Sequence, residues 1–125
     1  MSKRIPDPFT LVIFGASGDL TSRKLLPAVY SLFRLGFLPE KFSVVGFARR
    51  EQTDHGFAEA MRKAVQAFGR IPPDSEESWD RFRSRLFYHR GDFGNPEDFR
   101  SLRERLEGIA KTDGVPLNCL FYLAT

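Results

Sequence analysis

The sequence predicts an α/β fold, a doubly wound, mainly parallel sheet with helices on both faces. Two observations lead there. Continuous apolar runs alternate with stretches of helical periodicity, in the order β-α-β-α-α-β-α-β. The first run, Leu11-Val12-Ile13-Phe14, ends abruptly in Gly15 and Gly18, and a helical pattern follows at once. At 125 residues, without repeats or low-complexity stretches, the chain is about one domain. Right-handed crossovers then bring all the strand ends to one edge of the sheet, where such folds bind ligands.

Residues 10–14 do not alternate in polarity, so both faces of the first strand are expected to be buried. Leu25, Leu26, Val29, Leu32, Phe33 and Leu35 then follow an amphipathic helical spacing. Pro27 lies inside that pattern and cannot bond the Arg23 carbonyl. A short first turn is expected, with the main helix starting near Pro27. Gly36 suits the helix C-terminus, and Pro39 bars continuation. Residues 42–48 read as the second strand, ending in Arg49-Arg50. Thr53 or Asp54 caps a helix whose apolar face is Phe57, Met61, Val65 and Phe68, and Gly69 ends it. Ile71-Pro72-Pro73 is a turn. Asp74 or Ser75 caps a polar helix through Arg85, with Trp79, Phe82 and Leu86 as its buried stripe. Leu86 to Arg90 is the third strand, followed by Gly91-Asp92-Phe93. Asn95 caps and Pro96 opens a helix with Phe99, Leu102, Leu106 and Ile109 facing inward. Leu117 to Ala124 is the fourth strand.

Hydrophobic content of 42% and charged content of 28% fit a soluble globular chain. The net charge of +3 is too small and too spread out to argue for nucleic acid. No apolar run approaches the ~20 residues of a membrane span, so no membrane partner is expected. Met1 to Pro8 lacks the apolar segment of a signal peptide. A single cysteine, Cys119, excludes an internal disulfide and reads as a small buried hydrophobe in a cytoplasmic protein. His55 and His89 have no partners at ligand spacing, so no metal site is expected. No Ser-His-Asp or Cys-His arrangement emerges. The final run, Leu120 to Thr125, is apolar and strand-like, from which we expect a piece of a longer protein.

Two features carry chemistry. The turn from Gly15 to Gly18 joins a buried strand to a helix, where backbone N–H groups can receive a phosphate. It departs from the full G-x-G-x-x-G pattern, with Ser17 in the second glycine slot, and a tight connection without ligand is the alternative. Arg49 and Arg50 end the second strand, where dinucleotide folds contact the adenosine ribose. A carboxylate there favours NAD, whereas a guanidinium pairs with the 2′-phosphate of NADP. Two incidental surface arginines are the alternative, and a shifted register would make Glu51 the ribose ligand. Arg23 and Lys24 are equally readable as phosphate contacts or as solvated helix residues.

Taken together, the segments Val12 to Ala28, Leu32 to Pro39, Val45 to Arg49, Tyr88 to Phe93 and Leu120 to Ala124 closely resemble the glucose-6-phosphate dehydrogenase family in order and spacing. The likeness covers nearly the whole chain. Thr21 stands where the family usually has Ala, and the proline pair with which the family continues is lacking. The resemblance implies that residues 1–125 are a Rossmann-like NADP-binding domain without its catalytic domain. Gly15, Ala16, Ser17, Gly18, Asp19, Leu20, Thr21 and Ser22 would hold the NADP pyrophosphate. Arg49 would clasp the 2′-phosphate with Arg50 beside the adenine, and Asp92 and Phe93 would lie near the adenosine. Lys24 would lie between coenzyme and sugar phosphate, and Ala124 would border the nicotinamide. The family oxidises glucose 6-phosphate to the lactone, with hydride transfer to NADP, as the first step of the pentose phosphate pathway. Its histidine general base belongs to motifs beyond residue 125, so no catalytic residue is expected here. The resemblance also implies a homo-oligomeric parent. A stand-alone nucleotide-binding module, or another NADP-dependent Rossmann oxidoreductase, is the alternative reading.

Overall fold

Strands buried on both faces need helices on both sides, and the order of the elements supplies them. The computed structural model describes residues 6–16, 18–70, 75–92 and 94–124. Within these, β1 (Phe9–Phe14), β2 (Phe42–Ala48), β3 (Leu86–Arg90) and β4 (Cys119–Leu123) form one parallel sheet in the order β3-β2-β1-β4. The chain moves outward from β1 to β3 and then returns to the other side of β1. The order therefore reverses between β1 and β4, the topological switch point of a doubly wound sheet.

The alternation along each strand divides two cores. Ile13, Val44, Leu86 and Tyr88 face α1 (Leu26–Arg34), α2 (Asp54–Phe68) and α3 (Glu76–Arg83), meeting Leu26, Tyr30, Phe57, Met61, Trp79 and Phe82. Val12, Phe14, Val45 and Phe47 face the opposite way, against Leu102 and Leu106 of α4 (Pro96–Asp113). All seven residues of β2 are buried, as a central strand between helix layers requires.

Local chemistry sets the boundaries. The Thr53 side chain accepts from Gly56 N–H, Ser75 from Ser78 N–H, and Asn95 from Glu97 N–H, each capping a helix N-terminus. The C-terminus of α1 closes as a Schellman motif. Gly36 has φ 78°, Phe37 N–H donates to Leu32 O, and Gly36 N–H to Phe33 O.

Several expectations need correction. The main helix does start near Pro27, at Leu26, but the turn before it is continuous with it rather than a separate short piece. The backbone is helical from Asp19 and passes through a π-turn over Thr21–Leu25, in which Leu26 N–H reaches Thr21 O. Pro27 falls in the first turn of α1, where proline is tolerated. The third helix ends at Arg83, not Arg85, because Arg85 is already aligned with β2. Its carbonyl accepts Val44 N–H, and its guanidinium bonds Phe42 O, Ser43 Oγ and Asp113. Leu86 therefore belongs to β3 alone. β4 starts at Cys119 rather than Leu117, and it is not a buried strand. Leu120, Phe121 and Leu123 are 53, 62 and 62% exposed. Cys119 is half-buried, which pushes its thiol pKa up. Phe68 is exposed beneath the Arg23 guanidinium, and Leu32 and Leu35 are exposed too. The Ile71-Pro72-Pro73 turn and the Asp74 cap lie outside the described residues.

Candidate functional site

The carboxyl ends of the parallel strands line one edge, and the turn after β1 sits at its centre. Gly15 adopts φ 84°, a conformation that disfavours any residue with a Cβ. This bends the chain out of β1 while Gly15 and Ala16 N–H donate to Phe47 O of β2. Gly18 N–H then returns to Gly15 O at 2.9 Å, and the helix follows from Asp19. The amides of Gly15, Ala16 and Gly18 are thus spent within the fold. Among the described residues, the N–H groups available to an anion are those of the first helical turn, from Asp19 onward, which a helix leaves without intrahelical partners.

Close approach dominates this corner. A Cβ on Gly18 would stand 3.1 Å from Gly15 O and 3.6 Å from Ala124 O, so the turn and the end of β4 are in contact. Ala124 is buried there, and its N–H donates to Phe14 O. Thr21 is fully buried, with its hydroxyl donating to Gly15 O at 3.4 Å. Its side chain is a brace for the turn rather than a group open to solvent. Leu20 and Asp19 are exposed, and Ser22 is half-exposed. The Asp19 carboxylate is held by Arg23 at 2.9 Å. Ser17 and Phe93 lie outside the described residues.

A second cluster forms where β2 and β3 end. A cleft of about 330 Å³ is lined by Arg49, Arg90, Gly91, Asp92 and Asp98. The segment carrying Arg49 and Arg50 is fixed through its backbone. The Tyr88 hydroxyl donates to Arg50 O at 2.6 Å, and Arg90 Nε donates to Arg49 O at 3.1 Å. Burial pushes the Tyr88 phenol pKa up, against a smaller opposite pull from Arg50 and Arg90. Asp92 N–H donates to Asp98 Oδ2, and Asp92 Oδ1 accepts Gly94 N–H. Among the described residues no ion pair engages Arg49, Arg50 or Arg90. This edge therefore offers helix-start amides at its centre and unpaired guanidinium groups to one side, a geometry suited to an elongated, doubly phosphorylated ligand.

The structure brings Gly15, Ala16, Gly18 and Ala124 together, and separately groups Arg49 with Asp92. Lys24 lies elsewhere. With Arg23, Phe68 and Arg70 it lines a different cleft, of about 480 Å³, on the outer side of α1. Among the described residues no group of His, Cys, Asp and Glu is arranged to hold a metal ion. His89 stacks on Phe47 and bonds Ser101, and burial holds its pKa below the usual histidine value. Sequence reasoning missed Arg90 and the Tyr88 hydroxyl. The available signal was register, since Arg90 pairs with Ala48, the residue before Arg49. No helix among the described residues is long and apolar enough to cross a membrane.

Residues 12–125 match the family model described as glucose-6-phosphate dehydrogenase, NAD binding domain. The chain is 48% identical over 124 residues to the glucose-6-phosphate 1-dehydrogenase of Chlamydia pneumoniae, covering 99% of this chain and 24% of that protein. It is 45% identical over 118 residues to the enzyme of Chlamydia muridarum, covering 94% and 23%. A solved structure of glucose-6-phosphate dehydrogenase in complex with its substrate glucose 6-phosphate superposes with a TM-score of 0.81 at 30% identity, over 100% of this chain and 26% of that one. The chain thus spans about a quarter of the length of the relatives it matches.

Proposed function

Because this chain belongs to the glucose-6-phosphate dehydrogenase family, within its NAD binding domain, we propose that its carboxyl edge binds NADP. The observation that carries this reading is Arg49. It follows directly on β2 at the same sheet edge as the turn, without an ion-pair partner among the described residues, in a cleft whose carboxylates accept backbone N–H groups. A guanidinium so placed suits a 2′-phosphate, whereas NAD would call for a carboxylate accepting the ribose hydroxyls.

The residues present fit the group. The positive φ of Gly15 and the close packing of Gly18 on Ala124 keep side-chain bulk away from the turn. The first-turn amides from Asp19 to Ser22 would hold the pyrophosphate, with Gly15, Ala16, Ser17 and Gly18 shaping its seat. Thr21 would act through its brace on Gly15. Arg49 would hold the 2′-phosphate, Arg50 would flank the adenine, and Asp92 and Phe93 would border the adenosine. Ala124, next to the turn, would border the nicotinamide side. Lys24 would lie between coenzyme and sugar phosphate.

Bound NADP supplies a hydride acceptor. The complete protein, in this reading, oxidises glucose 6-phosphate at C1 to the lactone in the cytoplasm. Its general base and most of its sugar-phosphate contacts lie outside residues 1–125, so this chain positions the coenzyme and turns nothing over. Calorimetric titration of the chain with NADP and NAD tests the reading. Arg49→Ala is expected to weaken NADP binding about tenfold or more and NAD binding less than about twofold. Equal losses for the two coenzymes would remove the 2′-phosphate role.

A further inference from the structure

We propose that Arg90 is a second guanidinium for the 2′-phosphate and so sets how strongly NADP is preferred over NAD. The proposal rests on the reading that this edge binds NADP. Arg90 is the last residue of β3 and stands in register with Ala48, the last residue of β2, which brings it next to Arg49 immediately after that strand. Both side chains are exposed and line the same cleft. The Nε of Arg90 is committed to Arg49 O at 3.1 Å. That bond anchors the guanidinium at the strand edge while sparing its two terminal nitrogens, the pair that grips a phosphate in a fork.

The two carboxylates in the cleft, Asp92 and Asp98, form no ion pair with these two cations among the described residues. Asp98 accepts Asp92 N–H at 2.6 Å, and Asp92 accepts Gly94 N–H at 3.0 Å, so each carboxylate is drawn toward the loop backbone. Two neighbouring guanidinium groups repel each other, and neither is ion-paired among the described residues. A phosphate monoester carrying a charge of about −1.5 to −2 relieves that repulsion and can take a hydrogen-bonding fork from each side. A ribose hydroxyl does neither. Arg90 therefore favours the phosphorylated coenzyme by contact, in addition to holding the Arg49 backbone.

Contact and positioning separate experimentally. The full 125-residue chain is titrated calorimetrically with NADP and NAD, and with adenosine 2′,5′-bisphosphate and 5′-AMP, at two salt concentrations. Arg90→Gln is expected to lower affinity for NADP and the bisphosphate about tenfold. NAD and 5′-AMP should stay within about twofold, and the salt dependence for NADP should become shallower. Arg90→Lys, which keeps the charge, should recover part of the preference, and it serves as the probe if the Gln variant folds poorly. A parallel loss for all four nucleotides would reduce Arg90 to a structural role and overturn the proposal. So would an unchanged NADP-to-NAD ratio in both variants. If Arg49→Ala collapses the preference while both Arg90 variants keep it, only the Arg90 proposal fails. A wild-type chain that does not prefer NADP overturns the underlying reading as well.

Discussion

Gly46 lies buried in the middle of β2, where a β-branched residue would usually strengthen a central strand. A Cβ there would stand 2.7 Å from the Ala16 Cβ and 2.9 Å from the Phe57 ring. The missing side chain lets the turn after β1 and the start of α2 both close onto the sheet. Gly46→Ala is therefore expected to destabilise the fold by about 1–3 kcal/mol through overpacking, read from urea denaturation midpoints. It should also weaken coenzyme binding, because the residue forced to move is in the turn. At this scale the sequence was readable where a residue type announces its backbone, as Gly15 and Asn95 do. It was opaque where the reason for a residue is a distant neighbour. Nothing near Gly46 points to Ala16 or Phe57, and nothing near Gly91 points to the Phe47 ring, which a Cβ at that position would overlap. The same holds for the Tyr88 hydroxyl, whose partner is a carbonyl 38 positions away.

Among the elements, β3 shows how an edge strand is protected. Arg85 O and Gly91 N–H bond β2, so the alternating residue Tyr88 turns its amide and carbonyl outward. Asp54, the first residue of α2, accepts Tyr88 N–H at 2.7 Å, and Arg105 of α4 donates to Tyr88 O at 2.8 Å. Arg105 and Asp54 also pair with each other at 2.7 Å. One ion pair thus satisfies the middle of the open edge, at Tyr88, and ties together a helix from each layer. Both partners are partly exposed, so solvent screening limits the Coulombic part and the hydrogen bonds carry most of the effect. Arg105→Ala is expected to cost about 1–2 kcal/mol, measured by denaturant titration at constant ionic strength. The bounds of β2 and β3 follow from their apolar runs, and the caps of α2 and α4 from Thr53 and Asn95. The π-turn before Pro27 and the end of α3 at Arg83 do not follow from periodicity. In the first case the proline is tolerated in the first turn of α1. In the second a long-range ladder bond to β2 competes with one more helical turn.

Over the whole molecule, the two edges of the sheet differ. β3 is covered, whereas β4 presents Leu120, Phe121 and Leu123 on a largely open strand. Exposed apolar edges pair with one another. Sedimentation velocity of the 125-residue chain is expected to show concentration-dependent association. Leu123→Lys should shift it toward monomer while changing stability by no more than about 0.5 kcal/mol, as for other surface substitutions. The fold class and strand order could be anticipated because parallel strands with helical crossovers admit few arrangements. The exposure of β4 could not. An apolar strand reads the same whether or not this chain supplies its cover.

The pairing of β1 with β4 joins positions more than a hundred residues apart. On a ribosome adding ~5–20 residues per second, the central strand therefore waits on the order of ten seconds for its second neighbour. During that interval β2 and then β3 emerge while one flank of β1 stays bare, so the long-range pairing with β4 follows the others. Ala124, which seats the turn, emerges only then.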